Sequence, residues 1–165
     1  LPHFCVSIAC LHKGKLEHAV VVDPIRQEEF VASRGQGATL NGKRIRVSSL
    51  ENFDGALIAT GGRDRHLHLA GETAIQQQLI ESKSFTRQSG SAALDLAYIA
   101  AGRLDGLYLR GLERWNMAAG VLLVTEAGGL VGDVEGGASF MKTGNVVAGS
   151  PKCFKQLSSV VRKLL

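Results

Sequence analysis

The first segment that could bind an anion is a run of small residues at the start of a predicted helix. Residues 87–93 read RQSGSAA and lead directly into an apolar stretch. Backbone N–H groups at a helix start are free, and the helix dipole favours an anion there. Arg87 could add a bidentate contact to phosphate. Taken alone, the segment slightly favours a simpler interpretation, in which Ser89 or Ser91 caps the helix and Arg87 lies on the surface.

A second segment, residues 113–120 (ERWNMAAG), places a side-chain oxygen at another predicted helix start. Asn116 can cap that helix, reach a metal ion, or do both. Trp115 is the only Trp in the chain, and core packing is the default interpretation for it. In the third segment, residues 125–137, Glu126 and Asp133 could form a carboxylate pair, but we interpret both as structural.

The elements around these segments divide the chain into two halves. The first half has short apolar runs separated by tight-turn signals, which predict an antiparallel meander. The second half alternates helices with strands, and Gly128 and Gly129 are predicted to end the third helix. Strands are predicted over 4–11, 17–22, 29–33, 45–47, 56–60, 107–109, 130–133 and 145–149, and helices over 71–82, 91–101, 116–127 and 152–164.

Composition predicts one globular domain over residues 1–165. Apolar residues make up 45% of the chain, charged residues 21%, and no run approaches the ~20 apolar residues of a membrane span. The three cysteines, Cys5, Cys10 and Cys153, fit no metal-ligand spacing, so we expect reduced thiols and a cytoplasmic protein. The net charge of +4 suits either phosphorylated metabolites or nucleic acid and does not choose between them.

The order and spacing of these motifs change the interpretation. GSAA before one helix, WNMAAG at the next and EAGG closing it together resemble the inositol monophosphatase family. The meander stretches 20–24 (VVVDP) and 34–42 (RGQGATLNG) agree with that resemblance, and 90–106 and 144–149 are close to its bacterial extragenic-suppressor branch. The similarity covers essentially the whole chain and matches the C-terminal part of the family.

The resemblance implies a layered αβαβα sugar-phosphatase fold (class α/β), of which this chain would be the C-terminal portion, and commonly a homodimer. It implies hydrolysis of phosphate monoesters such as inositol 1-phosphate with Mg²⁺. The substrate-binding positions map to Arg87, Gly90, Ser91, Ala92 and Asn116. Asn116 also occupies the position of a metal-binding Asp, and no residue of this chain is assigned as catalytic.

Two departures from the family pattern qualify the enzymatic prediction. The family's acidic metal-binding motifs should precede Leu1, so most Mg²⁺ ligands are expected from a missing upstream part, and this chain alone is expected to be inactive. Asn116 has lost a negative charge worth ~4 kcal/mol to a cation 4 Å away at an effective dielectric of ~20. Leu109 stands where the family often has a Glu that contacts inositol hydroxyls.

Three functional hypotheses follow. The first is a phosphatase for a small phosphorylated polyol, active in the full-length protein. The second is a degenerate, non-catalytic family member that binds RNA or a transcription complex. The third, a phosphatase for fructose bisphosphate or a phosphoadenosine nucleotide, fits the branch resemblance less well.

Overall fold

The computed structural model describes residues 2–62 and 69–165, and its first half is the predicted meander. Five antiparallel strands pair in sequence order, from an edge strand β1 to β5. A β-bulge interrupts the pairing of β1 with β2 between Cys10 and Leu11. These strands are β1 (Val6–His12), β2 (Lys15–Asp23), β3 (Glu28–Ser33), β4 (Gly37–Leu40) and β5 (Lys43–Arg44).

The second half forms a mixed sheet in the order β7-β6-β8-β10-β9. The strands β6 and β7 are parallel to each other, as are β6 and β8, whereas β10 runs antiparallel to both β8 and β9. The remaining elements are β6 (Leu57–Gly62), α1 (Leu69–Glu81), β7 (Phe85–Arg87), α2 (Ala92–Ala100), β8 (Gly106–Arg110), α3 (Arg114–Glu126), β9 (Leu130–Gly132), α4 (Phe140–Thr143), β10 (Val146–Gly149) and α5 (Pro151–Leu164).

Two apolar clusters stack these elements into layers. In the first, Phe30 of the meander and Leu107 of the mixed sheet are buried against α2 and α3. In the second, Tyr108 and Val147 point to the opposite face of the mixed sheet and pack on α1 and α5. Since side chains alternate along a strand, β8 contributes to both clusters. The result is a sheet–helix–sheet–helix stack that confirms the predicted layered α/β class.

One face of the meander has no helical layer among the described residues. Phe4, Val6 and Ile8 are 53%, 54% and 60% exposed on that face, and β1 lies at the edge of the sheet. The described residues therefore form four of the five layers in the predicted αβαβα order. None of the described helices has the length and apolar character to cross a membrane.

Several predicted boundaries differ from the structure for local reasons. The predicted strand at 45–47 is wrong, because the chain leaves the sheet there and Val47 N donates to Ala127 O at 3.2 Å. Helix α3 begins at Arg114 and not at Asn116, because Glu113 is its N-cap. The predicted burial of Trp115 is also wrong, since this side chain is 68% exposed near the start of α3. The strands β4, β5 and β7 and the short helix α4 were not predicted.

Candidate functional site

A cavity of about 430 Å³ opens where the parallel strands β6 and β8 end. The carboxyl ends of parallel strands are a common position for ligand sites in α/β sheets. The beginnings of α2 and α3 complete the walls. The lining residues are Thr60, Gly61, Gly62, Gln88, Ser89, Gly90, Ser91, Ala92, Asp95, Leu109, Gly111, Leu112 and Asn116.

The end of β6 approaches the end of β8 so closely that it requires glycine. Gly62 has a φ of 116°, and a Cβ at this position would lie 2.0 Å from Arg110 O. Gly61 has a φ of 134°, and its nearest neighbour across the cavity is Leu109. The two glycines therefore keep this corner of the cavity open and free of side chains.

The loop before α2 is held by a short chain of hydrogen bonds. Ser91 N donates to Ser89 Oγ at 3.2 Å, and Ser89 Oγ donates to Asp95 Oδ1 at 2.7 Å. Ser91 occupies the N-cap position of α2, but its side chain makes no capping hydrogen bond. The simpler interpretation of the sequence, in which the Ser91 side chain caps this helix, is therefore not what the structure shows. The first N–H groups of α2 lack intrahelical partners, and Ala92, the first residue of this helix, lines the cavity.

Asp95 is the one carboxylate among the described residues lining this cavity, and it is 4% exposed. Burial raises its pKa above the ordinary value, and the bond from Ser89 and the nearby His3 lower it in part. Ionised Asp95 would repel an anion in the cavity, whereas the helix termini attract one. Asp95 was not among the residues predicted for the site, although its position four residues after Ser91 puts both on one face of α2.

Asn116 lies in the first turn of α3 and reaches the cavity. Its Oδ1 accepts a hydrogen bond from Glu113 N at 3.0 Å, which closes a capping box with Glu113. Asn116 is thus the third residue of the helix and not its cap. An amide oxygen has a second lone pair, so the capping bond leaves one acceptor position on this atom.

The structure brings together most of the residues predicted for the site. Gly90, Ser91, Ala92 and Asn116 line the same cavity, whereas exposed Arg87 is not among the lining residues. Arg87 Nη1 donates to Thr86 O at 3.4 Å, within its own strand. The substrate-binding and metal-binding roles of all five residues stay predictions.

Glu126 and Asp133 both lie outside the cavity and have structural partners. Glu126 accepts hydrogen bonds from Gly35 N and Gly37 N, each at 2.8 Å, and so ties the end of α3 to the β3–β4 turn. Buried Asp133 accepts from Thr143 Oγ1 and from Glu135 N. The structural interpretation of both carboxylates agrees with these contacts.

The described residues do not by themselves form a divalent metal site. They contain no group of three or more His, Cys, Asp or Glu side chains placed to hold one ion. In the cavity, Asp95 is engaged by Ser89, and Asn116 offers one neutral oxygen. Mg²⁺ prefers several hard oxygen ligands with at least one or two carboxylates, and this part of the chain does not supply them.

These features define a layered α/β protein with a cavity between two helix starts at the end of parallel strands. Residues 1–164 match the model of the inositol monophosphatase family, and the chain belongs to that family. It is 52% identical to the Nus factor SuhB of Pseudomonas aeruginosa and 50% identical to that of Escherichia coli K12, in each case over 98% of this chain and 61% of the relative. It therefore spans about three fifths of the length of these curated relatives.

Solved structures agree with the family assignment. The extragenic suppressor protein suhB from Bartonella henselae superposes with a TM-score of 0.94 at 40% identity, over 99% of this chain and 63% of that one. Inositol monophosphatase from Anabaena gives a TM-score of 0.91 at 36% identity, over 99% and 66%. Both the family and the fold class expected from the sequence motifs are confirmed.

Proposed function

We propose that this chain supplies the substrate-binding half of a Mg²⁺-dependent phosphate monoesterase acting on a small phosphorylated polyol of the inositol 1-phosphate type. The observation that carries the proposal is the meeting of Gly90–Ala92 and Asn116 in one cavity. The family assignment supports phosphate ester chemistry, and the two helix starts supply backbone donors and a favourable dipole for an oxyanion.

In this proposal the chain's own residues bind and orient the ester. Free N–H groups at the start of α2 would donate to phosphate oxygens, and the glycines at the end of β6 would let the substrate approach the backbone. Leu109 and Leu112 form an apolar part of the wall. Because neither can accept a hydrogen bond from a hydroxyl, a polyol would be held less tightly on that side than by a carboxylate.

The metal ligands would come from the rest of the complete protein, because the described cavity provides too few carboxylates. Asn116 would be one ligand through its amide oxygen. The chain alone is then expected to bind phosphate weakly and to release none from an ester. The resemblance further predicts a cytoplasmic protein that forms a homodimer. The mass of the complete protein in solution would test the homodimer.

The experiment measures phosphate release from inositol 1-phosphate by the complete protein over a range of Mg²⁺ concentrations. We expect Asn116→Asp to lower the Mg²⁺ concentration needed for half-maximal rate, since it restores a negative ligand while keeping an acceptor for Glu113 N. Asn52→Asp is the matched control, because Asn52 Oδ1 likewise accepts from a backbone N–H, that of Asp54, but Asn52 is not among the residues that line the cavity.

Absence of phosphate release by both the complete protein and its Asn116→Asp variant would favour the second candidate, a non-catalytic binding protein. The specific observation behind that candidate is the single carboxylate in the described cavity wall. The Nus factor names of the relatives are compatible with it. Under this candidate the partner would be RNA or a transcription complex, and the cavity would be a remnant.

A further inference from the structure

The loop that leads into α2 is exposed, yet it has a defined backbone conformation beside the candidate cavity. Gln88, Ser89 and Gly90 are all exposed, and Gly90 has a left-handed φ of 89°. A Cβ at Gly90 would meet no atom within 4 Å, so crowding by neighbouring atoms does not impose this conformation. Polar contacts therefore have to hold residues 88–91 in place.

A closed ring of three hydrogen bonds provides these contacts. Ser89 Oγ donates to Asp95 Oδ1 at 2.7 Å, and Ser91 N donates to Ser89 Oγ at 3.2 Å. Asp95 N in turn donates to Ser91 O at 2.9 Å, which begins the helical hydrogen-bond pattern of α2. The ring thus connects the exposed loop to a buried side chain that lies one turn into the helix.

The ring also determines which N–H groups stay available at the start of α2. The Ser89 hydroxyl is used within the ring, and the Ser91 hydroxyl lies 3.7 Å from Cys5 Sγ and forms no cap. The N–H groups of Ala92 and Ala93 precede the first intrahelical bond, so they have no partner within the helix. This loop conformation therefore leaves both groups for an oxygen of a bound anion.

Stability does not explain a carboxylate at position 95. Asp95 is 4% exposed in a helix whose other residues are Ala, Leu, Ile and Tyr. Burial raises its pKa above the ordinary value, and His3 is the ionisable neighbour among the described residues that lowers it in part. The folded chain therefore disfavours the ionised form, and an apolar residue would suit this position better. A buried acid that destabilises its own helix indicates a role in the site.

We propose that Asp95 is a positioning residue of the candidate cavity. Its carboxylate holds the Ser89 hydroxyl, this hydroxyl holds the N–H of Ser91, and the loop is thereby fixed with the N–H groups of Ala92 and Ala93 open to an oxyanion. Asp95 acts through Ser89 and does not bind the anion, which a carboxylate would repel. The inference rests on the proposed phosphate-binding function of this cavity and adds a residue that organises it.

A loop that is already in its binding conformation does not have to be ordered by the ligand. The apparent dissociation constant therefore increases as the fraction of molecules with a competent loop decreases. Opening the ring removes roughly one or two net hydrogen bonds, which lowers that fraction and should weaken anion binding about fivefold to tenfold.

The test measures binding of sulfate to this chain labelled with ¹⁵N-alanine, at constant ionic strength. Sulfate is a tetrahedral oxyanion like phosphate, and its charge does not change around neutral pH. The amide signals of Ala92 and Ala93 report binding at the start of α2, and their shifts with sulfate concentration give the dissociation constant. Ser89→Ala is the main variant, because an exposed side chain can be removed without preventing folding. We expect it to weaken sulfate binding about fivefold to tenfold.

Ser33→Ala is the matched control. The Ser33 hydroxyl likewise bonds to an ionisable side chain, with 2.9 Å between Ser33 Oγ and His18 Nδ1, but Ser33 is not among the residues that line the cavity. This variant should bind sulfate as tightly as the parent. An equal loss of affinity in Ser33→Ala and Ser89→Ala, with both folded by circular dichroism, would overturn the inference.

Two variants at position 95 separate positioning from charge. Asp95→Asn keeps an acceptor for Ser89 and removes the negative charge, so it should bind sulfate at least as tightly as the parent. Asp95→Ala removes the acceptor as well and should bind about fivefold to tenfold more weakly. Repulsion by the charge alone would make both variants bind more tightly, and general damage to the site would weaken both. Either of those results would contradict the positioning role.

The double variant Ser89→Ala, Asp95→Ala should bind sulfate no more weakly than either single variant, because both side chains belong to one ring; additive losses would count against it. The expected order of affinities, combined with no phosphate release by the complete protein, would support the positioning role and refute the phosphatase function. Absence of sulfate-dependent shifts at Ala92 and Ala93 in the parent would overturn the positioning role, whatever the hydrolysis assay gives.

Discussion

Replacing Glu126 by Gln tests how the end of α3 is coupled to the meander. The two Glu126 oxygens accept from Gly35 N and Gly37 N, each at 2.8 Å. Hydrogen bonds to a charged group contribute about 1.5–3 kcal/mol each, whereas neutral ones contribute about 1 kcal/mol. Gln keeps one acceptor and turns an NH₂ group toward the other N–H.

We expect Glu126→Gln to lower the free energy of unfolding by about 2 kcal/mol, mainly from the one hydrogen bond that is lost. The value lies near the lower end of the range for one hydrogen bond to a charged group, because Glu126 is half-buried and water can reach the turn. For a chain of this size, about 2 kcal/mol corresponds to a fall in Tm of roughly 4–8 °C. Urea unfolding followed by circular dichroism would measure the loss, with an unchanged m-value showing that the unfolded state is not altered.

Glu17→Gln provides the control for this prediction. Glu17 is also at the meander and pairs with Arg34 at 3.4 Å, but the two side chains are 31% and 46% exposed. Such surface pairs contribute at most about 1 kcal/mol. A Glu126→Gln variant that loses no more stability than Glu17→Gln would refute the view that these two hydrogen bonds hold the turn.

Three other outcomes are expected. Gly120→Ala should cost about 1–3 kcal/mol of stability, because its Cβ would lie 2.4 Å from Leu96 Cβ where α2 crosses α3; chemical unfolding would show no loss if the helices can move apart. Burial raises the pKa of Asp95 in the folded chain above its unfolded value, so ionising this carboxyl disfavours folding. Asp95→Asn should therefore become more stable relative to the parent protein as the pH rises from about 4 to 7. Urea titrations of both proteins should give free energies of unfolding that diverge over this range, and a constant difference between them would contradict the prediction. Cys153, whose pKa burial raises to about 12, should stay unmodified by a thiol reagent at pH 8 in the folded chain while exposed Cys10 reacts, and rapid labelling of both would contradict the burial.

The sequence predicted the order of the elements well where the chain's own patterning decides it. The meander follows from period-two apolar runs and tight turns, and the end of α3 follows from Gly128, which has a φ of 89°. The start of α3 was missed because both Glu113 and Asn116 can accept an N–H. Their reciprocal bonds depend on the approach of the chain, which a one-dimensional pattern does not contain.

The candidate site was predictable in part. The motifs placed Gly90–Ala92 and Asn116 near helix starts, and the fold brings them to one cavity. The contribution of Gly61 and Gly62 depends on β6 pairing with β8, a contact between residues far apart in sequence. The exposure of Trp115 was not predictable either, because apolar character alone does not say which face of a helix start meets a neighbour.

The bare face of the meander has a practical consequence for handling this chain. Val6 and Ile8 project from the edge strand β1, and Phe4 lies just before it; among the described residues, no further strand pairs with the outer edge of β1. The unpaired strand edge and the exposed apolar surface therefore coincide at β1. This combination promotes concentration-dependent aggregation. Purified samples should remain dispersed at low concentration and low salt, where the surplus positive charge keeps molecules apart, and should precipitate as salt screens it.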